Sequence, residues 1–125
     1  EQLWQQVPDN VRFLGFQPNP YPVIREADIL VSVADGEPFG RTVVEAFGLG
    51  TPVVIAGGGG PEETMGGRAG AAIVEAQPAA IANAVGQTLA EPPEMTEAMA
   101  YAETFSLPRH AGEISAILAS HPTRK

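Results

Sequence analysis

Glu37-Pro38-Phe39-Gly40-Arg41-Thr42-Val43-Val44-Glu45-Ala46, continued by Gly50-Thr51-Pro52-Val53-Val54-Ile55, reads as a loop, a helix and a buried strand. Gly36, Pro38 and Gly40 punctuate the loop. Thr42 to Leu49 holds no helix breaker except Gly48, close to the expected end of the helix. Val53-Val54-Ile55 is a β-branched run set between Pro52 and the glycines Gly57 to Gly60, the pattern of a strand covered on both faces. Two acids, Glu37 in the loop and Glu45 in the second helical turn, stand eight positions apart.

This arrangement suits one ligand class. A helix start near Gly40 to Thr42 presents unpaired N–H groups and partial positive charge, a ready site for phosphate. Glycine there lets the backbone approach a ligand closely. A carboxylate is repelled by the phosphate itself but suits a pair of neighbouring hydroxyls on either side of it, because it is a pure acceptor with two oxygens. Helical side chains lean toward the N-terminus, so Glu45 reaches back toward such a ligand. A nucleotide sugar has this layout, a diphosphate flanked by two diol-bearing sugars.

Outward from this stretch the chain alternates between elements. Glu1 to Gln6 reads as the tail of a helix, Val11 to Leu14 as a strand, and Gly15 to Pro22 as a proline-rich loop. Tyr21 to Glu26 is a short helical turn that feeds a strand over Asp28 to Val33, whose lack of alternation marks a buried parallel strand. After the glycine turn, Glu62 and Glu63 follow Pro61 as first-turn acids of a helix. Ala71 to Val74 is a further strand. Pro78 to Ala90 is an alanine-rich helix with Ile81, Val85 and Leu89 on one face. Thr96 to Thr104 is another, with Met95, Met99 and Ala102 turned inward. Ser106 caps a last helix that contains Ile114, Ile117 and Leu118. Alternating strands and helices predict an α/β domain, Rossmann-like, with three αβα layers and a parallel sheet. The expected division is an α/β core over 1–92 and C-terminal helices over 93–125. Ligands of such sheets bind beyond the C-terminal ends of the strands, so the loops at Gly15 to Asn19, Val33 to Gly40 and Ala56 to Pro61 are expected on one edge.

The central stretch resembles the E-x7-E motif of the retaining GT-B glycosyltransferases of family 4. Three other blocks extend the resemblance in order: Val11-Arg12-Phe13-Leu14-Gly15-Phe16, Ala27-Asp28-Ile29-Leu30-Val31-Ser32, and Gly58-Gly59-Gly60-Pro61-Glu62 with the following Gly67-Arg68-Ala69-Gly70. It implies the C-terminal, donor-binding half of a GT-B fold. Glu37 is then a catalytic residue contacting the transferred sugar, and Glu45 binds the ribose hydroxyls. The backbone N–H groups of Phe39 and Gly40 serve the donor. Arg41 is the nearest cation, and Thr42 either extends the helix start or touches a phosphate. The loop holding Phe16, Gln17 and Asn19 seats the base, and Gly58, Gly59 and Gly60 form a turn beside the donor. The resemblance further implies hexosyl transfer from a UDP-, GDP- or ADP-sugar to an acceptor hydroxyl, with retention at the anomeric carbon and fixed donors stabilising the leaving diphosphate. It implies neither a metal nor another cofactor.

Each residue also has a plainer reading. Glu45 lies off the Val43, Val44 and Phe47 face and reads equally as a solvated acid. Glu37 reads as a loop acid, Arg41 as a solvated helix residue, Gly58 to Gly60 as a sharp turn, and Glu62 as an acid stabilised by the helix dipole. His110 and His121, in the C-terminal tail, are expected to have no catalytic role. Two other functions fit the same pattern, a GT-B epimerase or hydrolase acting on the donor alone, and a non-catalytic binding or assembly module.

Composition sets the outer limits. At 125 residues and 44% hydrophobic content the chain is one domain with a real core. The net charge of −8, with seven scattered basic residues, argues against nucleic acid or an anionic membrane as partner. The absence of cysteine excludes disulfides and thiolate metal sites. No apolar run approaches the roughly 20 residues of a membrane span, and a cytoplasmic location is the default reading. The family's acceptor-binding N-terminal half, and the upstream Arg and Lys that grip the diphosphate, find no counterpart in the sequence. The chain therefore reads as a truncated donor half, inactive by itself, with an exposed sheet edge suited to self-association.

Overall fold

A computed structural model describes residues 7–34 and 36–120. The helix tail expected over residues 1–6, together with His121, lies outside them. The elements run α1 (Tyr21–Glu26), β1 (Leu30–Ser32), α2 (Arg41–Gly48), β2 (Val53–Ala56), α3 (Gly60–Met65), β3 (Ala71–Val74), α4 (Pro78–Ala90), α5 (Thr96–Glu103) and α6 (Leu107–Ser120). The three strands form a parallel sheet in the order β1-β2-β3. Val54 pairs with Val31 on one side and with Ala72 on the other.

All four residues of the central strand β2 are buried. Alternate strand residues point to opposite faces, so the sheet is covered on both. Val53 and Ile55 join Val43, Val44, Phe47, Met65 and Ala98 in one core cluster beneath α2 and α5. Val54 faces the other way, where α4 packs on β2 and β3 and buries Ala84. This is the three-layer αβα arrangement. The core cluster also takes in Ala98 and Ala102, so it continues past residue 92 into α5. Residues four apart on α5 bring Ala98 and Ala102 onto the face that meets α2, and Met99 stays 43% exposed.

Helix α2 passes into β2 through a Schellman turn. The N–H of Thr51 donates to the Ala46 carbonyl at 2.9 Å, and that of Gly50 donates to Phe47 at 3.0 Å. The residue at this left-handed turn is Gly50, two positions after Gly48. Thr51 then does a second task. Its buried hydroxyl donates to the Ile24 carbonyl at 2.8 Å and fastens α1 to the front of β2. Thr51→Val keeps the volume and removes the donor, while the Ile24 carbonyl keeps the Ala27 N–H. A loss of about 1 kcal/mol is expected, read as a lower urea midpoint at unchanged slope.

Three expectations need correction. Val11 to Leu14 is not a strand, and Val11, Phe13 and Leu14 are 46%, 60% and 48% exposed. Strand propensity alone does not form a ladder. The strand expected over Asp28 to Val33 is confined to Leu30–Ser32 and leaves Val31 and Val33 exposed. On α4, Leu89 is exposed and Ala84 takes the buried position, because the covered stripe runs through Ile81, Ala84, Val85 and Thr88 at i, i+3, i+4 and i+7 and Leu89 falls beside it. In α6, Ile114, Ile117 and Leu118 form the helix as expected but are more than half exposed.

Candidate functional site

The loop before α2 is held from two sides. The carboxylate of Glu37 accepts the N–H of Gly40 at 2.9 Å and that of Phe39 at 3.3 Å, closing the loop on itself. The Gly60 N–H donates to the Glu37 carbonyl at 2.9 Å, tying in the glycine turn after β2. Backbone packs on backbone here. A Cβ on Gly60 would overlap the Pro38 carbonyl oxygen. Gly40, the residue before α2, has φ +81°, and a Cβ on it would sit 2.5 Å from Pro61 Cγ. The loops after β1 and β2 therefore do converge, as parallel-sheet topology requires. The Gly15 to Asn19 loop does not follow a strand, and its Asn19 side chain accepts the N–H of Tyr21 at the start of α1.

The two N–H groups expected to serve a donor, those of Phe39 and Gly40, are thus engaged by Glu37. The next two, of Arg41 and Thr42, carry no hydrogen bond within the described chain. They open the first turn of α2, where partial positive charge collects. The Thr42 side chain is exposed beside them.

Beside this helix start lies a cavity of about 810 Å³, lined by Tyr21, Phe39, Arg41, Val44, Glu45, Phe105, Leu107, His110 and Ile114. Glu45 is a quarter exposed at its side chain, and its carboxylate stands 3.5 Å from the Arg41 guanidinium one helical turn earlier. It is not the freely solvated acid of the plainer reading. The Phe39 ring lies edge-on to Phe105 at 5.6 Å, and Phe105 lies edge-on to Tyr101 at 5.1 Å. Tyr101 in turn donates to the Thr64 carbonyl at 3.0 Å and is covered by Arg68. This aromatic chain anchors the tip of the loop to α5, so the ring of Phe39 and not only its backbone shapes the site. The segment leading into α5 is itself capped. The Glu94 carboxylate accepts from the Thr96 hydroxyl and N–H, which hold its carboxyl below the usual carboxylate range.

The structure therefore gathers Phe39, Arg41 and Glu45 at one cavity, with Glu37 behind them as the acceptor that shapes the loop. Gly59 and Gly60 stand against that loop, while Gly58 lines a separate hollow of about 440 Å³ at the ends of β2 and β3. Phe16 is 90% exposed and the Gln17 amide donates to the Leu14 carbonyl at 2.6 Å, so neither lines the cavity. Sequence reasoning missed Tyr21, Phe105, Leu107 and His110. Leu107, His110 and Ile114 fall at i, i+3 and i+7 of α6, a spacing that marks one helical face.

The fold is a parallel α/β domain of the GT-B type, as the family model and solved structures that it matches show. The sequence model of the family described as Glycosyl transferases group 1 matches residues 4–104, and the chain belongs to that family. It is 36% identical over 59 residues to the lipopolysaccharide core biosynthesis glycosyltransferase LpsE of Rhizobium meliloti, covering 47% of this chain and 17% of that protein. It is 39% identical over 87 residues to the D-inositol 3-phosphate glycosyltransferase of Mycolicibacterium gilvum, covering 67% of this chain and 20% of that protein. Among solved structures, Anabaena HepE in complex with UDP and glucose superposes with a TM-score of 0.77 at 27% identity, over 96% of this chain and 35% of that one. HepE in complex with UDP gives 0.78 at 28% identity, over 90% and 33%. The chain thus spans about a fifth of the length of these curated relatives and a third of the HepE chain. Among the described residues no helix is long and apolar enough to cross a membrane.

Proposed function

We propose that this chain is the donor-binding half of a retaining glycosyltransferase and that its cavity receives a nucleoside diphosphate sugar. The observation that carries the reading is the meeting of Glu45 and Arg41 with the open N-terminus of α2 at one cavity. Glu45 accepts from the ribose hydroxyls, and the Arg41 and Thr42 N–H groups face the diphosphate. Glu37 meets the transferred sugar, its carboxylate exchanging the Phe39 and Gly40 N–H groups for sugar hydroxyls when the donor arrives. The complexes of HepE with UDP and with UDP and glucose favour uridine as the base.

Transfer to an acceptor hydroxyl proceeds with retention, the fixed N–H groups and Arg41 stabilising the departing diphosphate. No metal or other cofactor is assigned to the step. The acceptor is bound by a separate N-terminal half, so the 125-residue chain alone is expected to bind nucleotide and transfer nothing. Among the described residues no strand pairs with the outer edge of β1, and this edge, with Val31 and Val33 exposed nearby, supports self-association. Sedimentation of the chain is expected to show a dimer that Val31→Lys dissociates, and a monomer at all concentrations removes this part of the reading.

Thermal unfolding with millimolar UDP, GDP or ADP tests the donor reading. Ligand at ten times its dissociation constant stabilises by about 1.4 kcal/mol, which raises the midpoint of a domain this size by roughly 2–6 °C. A shift with UDP is expected. Indifference to all three nucleotides would point to a fold that serves as a binding or assembly module.

A further inference from the structure

The cavity beside α2 has a fourth wall, and it comes from α6. Leu107, His110 and Ile114 line it from one face of that helix, opposite Arg41 and Glu45. Leu107 and Ile114 bring apolar surface, and His110 brings the one titratable group of this face.

A diphosphate ligand needs cations, and the chain has few to offer against a net charge of −8. Among the described arginines, Arg68 is spent on the Tyr101 ring, with its centroid 3.2 Å away, and Arg109 is paired with Glu113 at 2.9 Å. Arg12 and Arg25 do not line the cavity. Arg41 does, but it is shared with Glu45. His110 is the second basic side chain that lines the cavity. The imidazolium has two N–H donors and no acceptor, so it suits a phosphate oxygen and not a ribose hydroxyl already bound to Glu45.

We infer that His110 is a phosphate-binding residue of the donor site, which makes α6 part of that site. The inference rests on the donor reading of the same cavity. The groups facing His110 are Tyr21 from α1, Arg41 and Glu45 from α2, with the Arg109–Glu113 pair on its own helix.

Isothermal titration of the 125-residue chain with uridine, UMP and UDP separates the contributions. His110→Ala is expected to weaken UDP about 5–10-fold, to weaken UMP less, and to leave uridine unchanged, as the loss of one hydrogen bond to a charged group dictates. His110→Lys, which restores a cation, is expected to recover most of the UDP affinity. If UDP binds His110→Ala as tightly as the unaltered chain, the inference fails and the donor reading stands. Equal loss of uridine and UDP makes His110 a packing residue and also overturns it. If the unaltered chain binds none of the three, the inference falls, and a parallel titration with GDP and ADP decides whether the donor reading falls with it.

Discussion

Gly60→Ala is expected to destabilise the chain by about 3 kcal/mol, lowering its melting midpoint by about 10 °C. The new methyl group would lie on the Pro38 carbonyl oxygen and close to the Phe39 Cα, both backbone atoms with no rotamer to escape into. Relief requires the loop after β1 to move away from the turn after β2, which costs the Gly60 N–H its bond to the Glu37 carbonyl. Helix propensity pulls the other way, since alanine exceeds glycine by up to about 1 kcal/mol within a helix, and the overlap outweighs it. Gly86→Ala separates the two effects. Gly86 lies within α4 with open space around its Cα, so there the propensity term acts alone and a small gain is expected. Parallel thermal melts of the two variants decide the matter. A Gly60→Ala protein as stable as Gly86→Ala would mean that the two loops are not locked together. Because the displaced loop carries Glu37, Phe39 and Gly40, nucleotide binding should fall with stability in Gly60→Ala.

The second large effect belongs to Glu45. Glu45→Ala is expected to weaken UDP about 10–100-fold, as the loss of hydrogen bonds from a charged acceptor worth roughly 1.5–3 kcal/mol dictates. Its effect on folding should be small. The partner Arg41 is 87% exposed at its side chain, and ion pairs this open contribute at most about 1 kcal/mol. The unliganded melting midpoint should thus stay within a few degrees of the parent while the nucleotide-induced shift disappears. Glu45→Gln, which keeps an acceptor oxygen but no charge, should fall between the two. Isothermal titration and melts read together provide the check. A variant that binds UDP as the parent does would remove Glu45 from the ribose and leave its pairing with Arg41 as its only role.

The course of the chain through the central stretch was legible without coordinates. Gly40 and the breakers around it placed the start of α2, and a β-branched run between Pro52 and the glycines placed β2, because backbone sterics and side-chain branching act locally. Pro78 and the alanine-rich run did the same for α4. Val11 to Leu14 has equally good local credentials and is not a strand, since a strand exists only through the neighbour that accepts its hydrogen bonds. Leu89 and Met99 show the same limit on helices. Periodicity names an apolar face, but the space left by the opposite layer decides which residue fills it, and here that space takes Ala84, Ala98 and Ala102.

The site divides in the same way. The residue types at the start of α2, two acids eight positions apart around a glycine-marked helix end, pointed by themselves to a ligand with hydroxyls on both sides of a phosphate. That the Phe39 and Gly40 N–H groups turn to Glu37 depends on the close approach of the glycine turn, which brings Gly60 against Pro38. That Tyr21, Phe105 and His110 meet Arg41 and Glu45 depends on how α1, α5 and α6 pack around α2. Local chemistry thus determined the fold class and the α2 end of the site. The remaining walls were decided by tertiary structure, because contacts between residues about 20 to 70 positions apart leave no periodic trace in the chain.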